Sequence, residues 1–216
     1  MDWCNTLWSE PQARSAYESC PYEQKIKEPA RLGRNCLSGE IISLAQITDD
    51  TVGGKAYGLS RLVAMGLPVP PAFVIRNAHA GSYPLDLDQH YGALACEKVA
   101  VRSSAQGEDG VEASFAGQYD TVLNVADGAA LRRAIDQCAA SALNERARQY
   151  QNDQAKTDVA AMNIVVQRMV DARFAGVVFT ADPASARRDL LIIDAVAGLG
   201  ESLVSGEATP DHYAVN

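Results

Sequence analysis

The chain has 216 residues, enough for one large domain or two small ones with a sizeable core. Its net charge of −8 argues against a broad nucleic-acid or anionic-membrane surface, since either needs a basic face, but leaves room for a nucleotide held by a few local cations. No apolar run approaches the roughly 18 residues of a membrane span, and MDWCNTLW lacks the basic-then-apolar order of a signal peptide.

Residues 1–39 are polar, broken by Pro11, Pro21 and Pro29, and without sustained periodicity. They read as an N-terminal extension, partly disordered, with Trp3, Trp8, Tyr17 and Tyr22 as anchors. Residues 40–216 read as the folded domain. Gly39–Ile47 has the character of a first strand. After the Thr48–Asp50 turn, Ala56, Leu59, Leu62 and Val63 fall on one face of a helix over Lys55–Met65, which Gly66 and Pro68 stop. Gly53-Gly54-Lys55 therefore sits at a helix N-terminus. A Lys there opposes the helix dipole, which makes sense if helix end and Lys both touch an anion. The alternative is a Gly-Gly turn with a solvated Lys. The segment is not a P-loop, because Ala56 follows the Lys and the upstream Gly is missing.

Pro68–Ile75 ends in a short strand, and Asp86–Leu94 suits a short helix. Val99–Val125 (VAVRSSAQGEDGVEASFAGQYDTVLNV) follows: an apolar run ending in Arg102, a stretch of Ser, Gly, Asp, Glu and Ala, and a second strand at Thr121–Val125. Small residues behind one Arg bring backbone N–H groups and a fixed charge against an anion, so this reads as a phosphate-handling loop. Gly128–Gln151 is the clearest helix, with Leu131, Ile135, Cys138, Ala142 and Leu143 as its inner stripe. Asn163–Met169 and Phe174–Thr180 read as strands joined by a hairpin at Val170–Arg173. Leu190–Val196 reads as a buried strand, Gly198–Glu201 as a turn, and a last strand begins near the end. Strands and helices mix without strict βαβ repetition, so an α+β fold with antiparallel pairing in the second half is expected. Cys4, Cys20, Cys36, Cys96 and Cys138 include no C-x-x-C pair and no His partners set for zinc, which predicts reduced thiols in a cytoplasmic protein and no metal site of that kind.

The segments VGGKAYGLSRLVAMGLPVPPAFVI, VAVRSSAQGEDGVEASFAGQYDTVLNV, NIVVQRMVDARFAGVVFTADP and DAVAGLGESLVSGEATPDHYAV occur in this order. They resemble four successive motifs of the ATP-binding, ATP-grasp-like domain shared by pyruvate phosphate dikinase, phosphoenolpyruvate synthase and rifampicin phosphotransferase. The wording is closest to the last two. The resemblance implies Mg-ATP bound between two subdomains, with Mg2+ as companion ion. It also implies phosphoryl transfer to a His on a separate swivelling domain. By the same resemblance Lys55 and Arg102 clamp the phosphates, beside Gly54. The loop holding Ser114, Gly117 and Gln118 closes over them before Thr121, and Gln167, Met169 and Val170 edge the adenine pocket. Glu201, in GLGE, borders the nucleotide. Each residue keeps a plain alternative: Arg102 paired with Glu108 or Asp109, Gln167 facing solvent, Glu201 capping a turn.

Three departures follow from the same comparison. The insertion between PVPPAFVI and VAVRSS is cut short. The family's later acidic residue and Gln-x-Arg segment, which hold Mg2+ and phosphates, have no counterpart, although Glu207 and Asp211 offer carboxylates. No Thr-x-His-type site exists at His79, His90 or His212. The expectation is an ATP-grasp-like domain incomplete at its C-terminal end, unable to complete a dikinase cycle by itself. Its complement is then a second chain or further domains. The competing class is a non-catalytic nucleotide-binding or partner-binding module.

Overall fold

Met162–Arg168 (β5) reads MNIVVQR, with Met162, Ile164 and Val166 on one face and Asn163, Val165 and Gln167 on the other, and it is the central strand of the first of two sheets. The computed structural model describes residues 39–105, 121–150, 162–185 and 187–216, with side chains to 141 in the long helix. The chain divides after Met169 into two compact units. In the first, Glu40–Ser43 (β1), Ala72–Ala78 (β2), Val99–Ser104 (β3) and Thr121–Val125 (β4) join β5 in the order β1-β2-β5-β3-β4, every pairing antiparallel. The helices of this unit are Gly54–Ala64 (α1), Leu87–Ala93 (α2) and Gly128–Tyr150 (α3).

Side chains alternate across a strand, so each strand feeds two layers. Phe73 and Ile75 of β2, Val99 and Val101 of β3, and Ile164 and Val166 of β5 pack with Leu131, Ile135 and Cys138 of α3. Ala72 and Val74 with Val165 meet Leu44, Val52 and Ala56 on the opposite face, under α1. The face under α3 is therefore apolar, whereas the face under α1 mixes Ala72, Val74 and Val165 with Ser104, Asn163 and Gln167. α3 starts where Asp127 Oδ1 accepts the Ala130 N–H at 2.7 Å, a side-chain cap that fits an Asp before a helix.

Several sequence expectations change. The first strand stops at Ser43, and Leu44–Gln46 turns as a 3-10 helix while Gln46 Oε1 accepts the Ser43 N–H at 2.8 Å. β2 runs on to Ala78 and β3 to Ser104. α1 buries Ala56 and Ser60, while Leu62 is 40% exposed. Leu62 lies six residues past Ala56, about 240° round the helix, and so leaves the sheet. The stop at Gly66 holds: Gly66 has φ +74, with Gly66 N–H to Val63 O and Leu67 N–H to Leu62 O, a Schellman closure.

The hairpin between Asn163–Met169 and Phe174–Thr180 does not form. Both edges of β5 are taken by β2 and β3, so Phe174–Phe179 (β6) pairs elsewhere and Val170–Arg173 links the two units. In the second unit β6, Leu191–Ala197 (β7) and Asp211–Val215 (β8) form an antiparallel sheet in that order, with the short helix Glu201–Val204 (α4) in the β7–β8 connection. β7 is half-buried rather than buried: Ile192 and Val196 are covered, whereas Leu191 on the other face is exposed. Gly176 lets β6 approach β7, since a Cβ there would stand 2.5 Å from the Asp194 carbonyl oxygen. No helix among the described residues is long and apolar enough to cross a membrane.

His90 of α2 is buried, its ring 5.7 Å from that of Phe73. Burial pushes its pKa below the ordinary 6.5, with Asp86 pulling the other way. The unfolded chain therefore binds the proton more readily, and stability rises with pH across the window from the folded value up to 6.5. The stability is complete above that window and is lost as pH falls through it. Urea unfolding at a series of pH values is expected to show this loss, and His90→Leu is expected to flatten it. An unchanged slope in the variant would assign the dependence to other groups.

Candidate nucleotide-binding site

The start of α1 is built onto the end of β3. The 3-10 turn Asp50–Val52 closes with the Gly53 N–H on the Asp50 carbonyl at 2.9 Å. Gly53 then takes φ +87 and ψ 160, a conformation open in practice only to glycine. The Gly54 N–H donates to the Ala105 carbonyl at 3.1 Å, and the Ala56 N–H to Ser104 Oγ at 3.1 Å. The Ser104 hydroxyl in turn donates to the Val52 carbonyl at 2.9 Å. Lys55 Nζ donates to the Ser103 carbonyl at 3.1 Å.

These bonds revise the expectation for the helix end. The N–H groups of Gly53, Gly54 and Ala56 already have protein acceptors. The contribution of this end to an anion is then the Lys55 side chain and the helix field, not a row of open amides. The sequence signal for a helix start at Gly53-Gly54-Lys55 is correct. The residue that ties it down, Ser104, lies far along the chain and gave no local sign of doing so.

β3 and β5 place the other candidates. Arg102 stands opposite Thr121 on β4 and Val165 on β5, and Ala100 opposite Gln167. Directly opposed residues share a face, and so do residues two apart on one strand. Arg102, Ser104, Thr121 and Gln167 thus lie on the face that carries Val165 and α1. Arg102 is half-buried, and among the described residues it forms no ion pair; Glu108 and Asp109 lie outside them. Gln167 does not face solvent: it is 9% exposed and its Nε2 donates to the Pro70 carbonyl at 3.2 Å. Met169 is fixed by its N–H on the Lys98 carbonyl at 3.0 Å and by its sulfur accepting the Asn124 N–H at 3.1 Å. Asn124 reaches it from a register irregularity in β4, with φ 59. Val170 is exposed at the start of the second unit.

Glu201 opens α4 in the second unit, exposed, behind Gly198 at φ +81, whose N–H donates to the Arg173 carbonyl at 3.0 Å. The predicted closing loop with Ser114, Gly117 and Gln118 lies outside the described residues. His212, set aside in the sequence as a phosphorylation site, and Asp194, which was not singled out, face each other across β8 and β7 with Nδ1 to Oδ1 at 2.6 Å. The signal available for them was only the cross-strand register.

Residues 82–216 match the family described as pyruvate phosphate dikinase, AMP/ATP-binding domain. The chain belongs to this family. Arg102, Thr121, Gln167, Met169 and Glu201 fall inside the matched residues; Gly54 and Lys55 precede them and join Arg102 through the bonds to Ser103, Ser104 and Ala105. Among relatives of this dikinase-type domain, the prodigiosin synthesizing transferase PigC of Serratia marcescens is 38% identical over 201 residues, covering 76% of this chain and 22% of that protein. A probable phosphoenolpyruvate synthase of Methanocaldococcus jannaschii is 36% identical over 220 residues, covering 77% of this chain and 18% of that protein. The rifampicin phosphotransferase of Streptomyces sviceus is 50% identical over 117 residues, covering 54% of this chain and 14% of that protein. The chain thus spans less than a quarter of the length of each of these curated relatives. The mixed helix and antiparallel sheet architecture agrees with the ATP-grasp-like α+β expectation, and ATP is the ligand class of the family.

Proposed function

We propose that this chain is the ATP-binding part of a dikinase-type phosphotransferase, with Lys55 and Arg102 holding the phosphates. The bonding of the α1 start to the end of β3, which brings Lys55 onto the strand that carries Arg102, is the observation that carries this reading. Phosphoryl transfer depends on positioning and charge neutralisation more than on covalent chemistry by the protein, and two fixed cations supply both. On this reading Gln167 and Met169 edge the base and Gly54 and Thr121 flank the phosphates; the roles that the family resemblance implies for Ser114, Gly117 and Gln118 fall outside the described residues, and those for Val170 and Glu201 fall in the second unit. The phosphoryl group passes to the imidazole nitrogen of a His carried by a separate swivelling domain or a second chain. The acceptor chemistry resembles that of phosphoenolpyruvate synthase or rifampicin phosphotransferase. Mg2+ accompanies the nucleotide. Among the described residues no group of three or more His, Cys, Asp or Glu could hold a metal ion.

Isothermal titration of the full chain with ATP and with adenosine tests the reading. Charge-assisted bonds from two cations predict ATP binding about 30- to 100-fold tighter than adenosine, shrinking as salt is raised. Equal affinity for the two ligands would remove the phosphate clamp.

A further inference from the structure

The segment Thr51–Ala56 is held from two strands. Ser104, fully buried on β3, bridges the Val52 carbonyl and the Ala56 N–H through one hydroxyl. Asn163, opposite Ser104 in register on β5, donates from Nδ2 to the Thr51 carbonyl at 2.9 Å and accepts the Asn77 N–H on Oδ1 at 3.2 Å. Ser104 and Arg102 point to the same face and stand about 7 Å apart along β3. One rigid strand thus fixes the first turn of α1 with one residue and presents the guanidinium with another.

We infer that Ser104 is a positioning residue for the ATP phosphates: its hydroxyl sets the first turn of α1, and with it Lys55, at a fixed distance from Arg102. This deepens the proposed function and rests on it. The role differs from general stabilisation because it acts on the spacing of two cations. Its loss is therefore felt by the triphosphate and not by the adenosine portion. A buried hydroxyl that only fills space between a carbonyl and an amide would affect both equally, through the folded fraction.

The test compares Ser104→Ala, Lys55→Ala and Ser141→Ala in the full chain, by calorimetric titration with ATP and with adenosine. Ser141 is the control: its hydroxyl is also buried and bonded, to the Cys138 carbonyl at 2.8 Å on α3, on the far face of the sheet. Expected is a loss of about tenfold in ATP affinity for Ser104→Ala with adenosine within about twofold, and no selective change for Ser141→Ala. Retained ATP affinity in Ser104→Ala, while Lys55→Ala loses it, overturns the positioning role and leaves the clamp standing. No ATP-selective loss in Lys55→Ala removes the clamp itself, and the positioning role with it. Should Ser104→Ala not fold, Ser104→Cys fills the site with a slightly larger side chain and weakens both hydrogen bonds, and the same comparison applies.

Discussion

Gly53→Ala is expected to remove most of the chain's ATP affinity, about 100-fold, and to lower stability by about 2–4 kcal/mol. Two independent costs meet at this position. The backbone sits at φ +87 and ψ 160, a region that disfavours any Cβ. The added Cβ would also stand 2.5 Å from both the carbonyl carbon and Oγ of Ser104, and closer still to its carbonyl oxygen. Ser104 is fully buried and paired with Asn163 of the central strand, so its atoms have little room to give way. The segment must lift off β3, and Lys55 lifts with it. Gly66→Ala provides the comparison: its φ is also positive, at +74, but nothing lies within 4 Å of the new Cβ. That variant is expected to lose about 1 kcal/mol and to bind ATP normally. Urea unfolding and calorimetric titration of both variants check the pair. Normal ATP binding by a folded Gly53→Ala would show that the close contact with β3 does not set the site.

What was legible in the sequence was local. The stop of α1 at Gly66 and the helix from Gly128 are signals written within a few neighbouring residues. The misreadings all depend on distant partners. Val170–Arg173 has the length and polarity of a hairpin turn. Whether it closes one depends on β5 having a free edge, and β2 and β3 occupy both. For Gln167 the burial and the bond to the Pro70 carbonyl remove the plain alternative of a solvent-facing residue, which strand alternation had left open. Leu62 looked like a core residue because a helical period fixes relative angles and not which face is down. The bond from Ala56 to Ser104 chooses the face. The same bond converts a helix end that read as a set of open donors into a mount for one cation.

Arg102→Ala is expected to weaken ATP binding by about 30- to 100-fold while adenosine binding changes by less than about twofold. Among the described residues no carboxylate pairs with the guanidinium, so deletion breaks no identified ion pair, and the unfolding midpoint is expected to move little. The competing reading pairs Arg102 with Glu108 or Asp109. It gives the opposite pattern: lower stability, with ATP and adenosine losing affinity together. Arg102→Lys sharpens the distinction. It keeps the charge but replaces a planar fork of donors with a point charge on a flexible stem. If the fork grips phosphate oxygens, Arg102→Lys recovers only part of the affinity, about tenfold below the parent chain. If charge alone matters, it recovers nearly all of it. Titrations at low and high salt complete the argument. The ATP advantage of the parent chain falls with ionic strength, whereas Arg102→Ala, already without that cation, shows a shallower dependence.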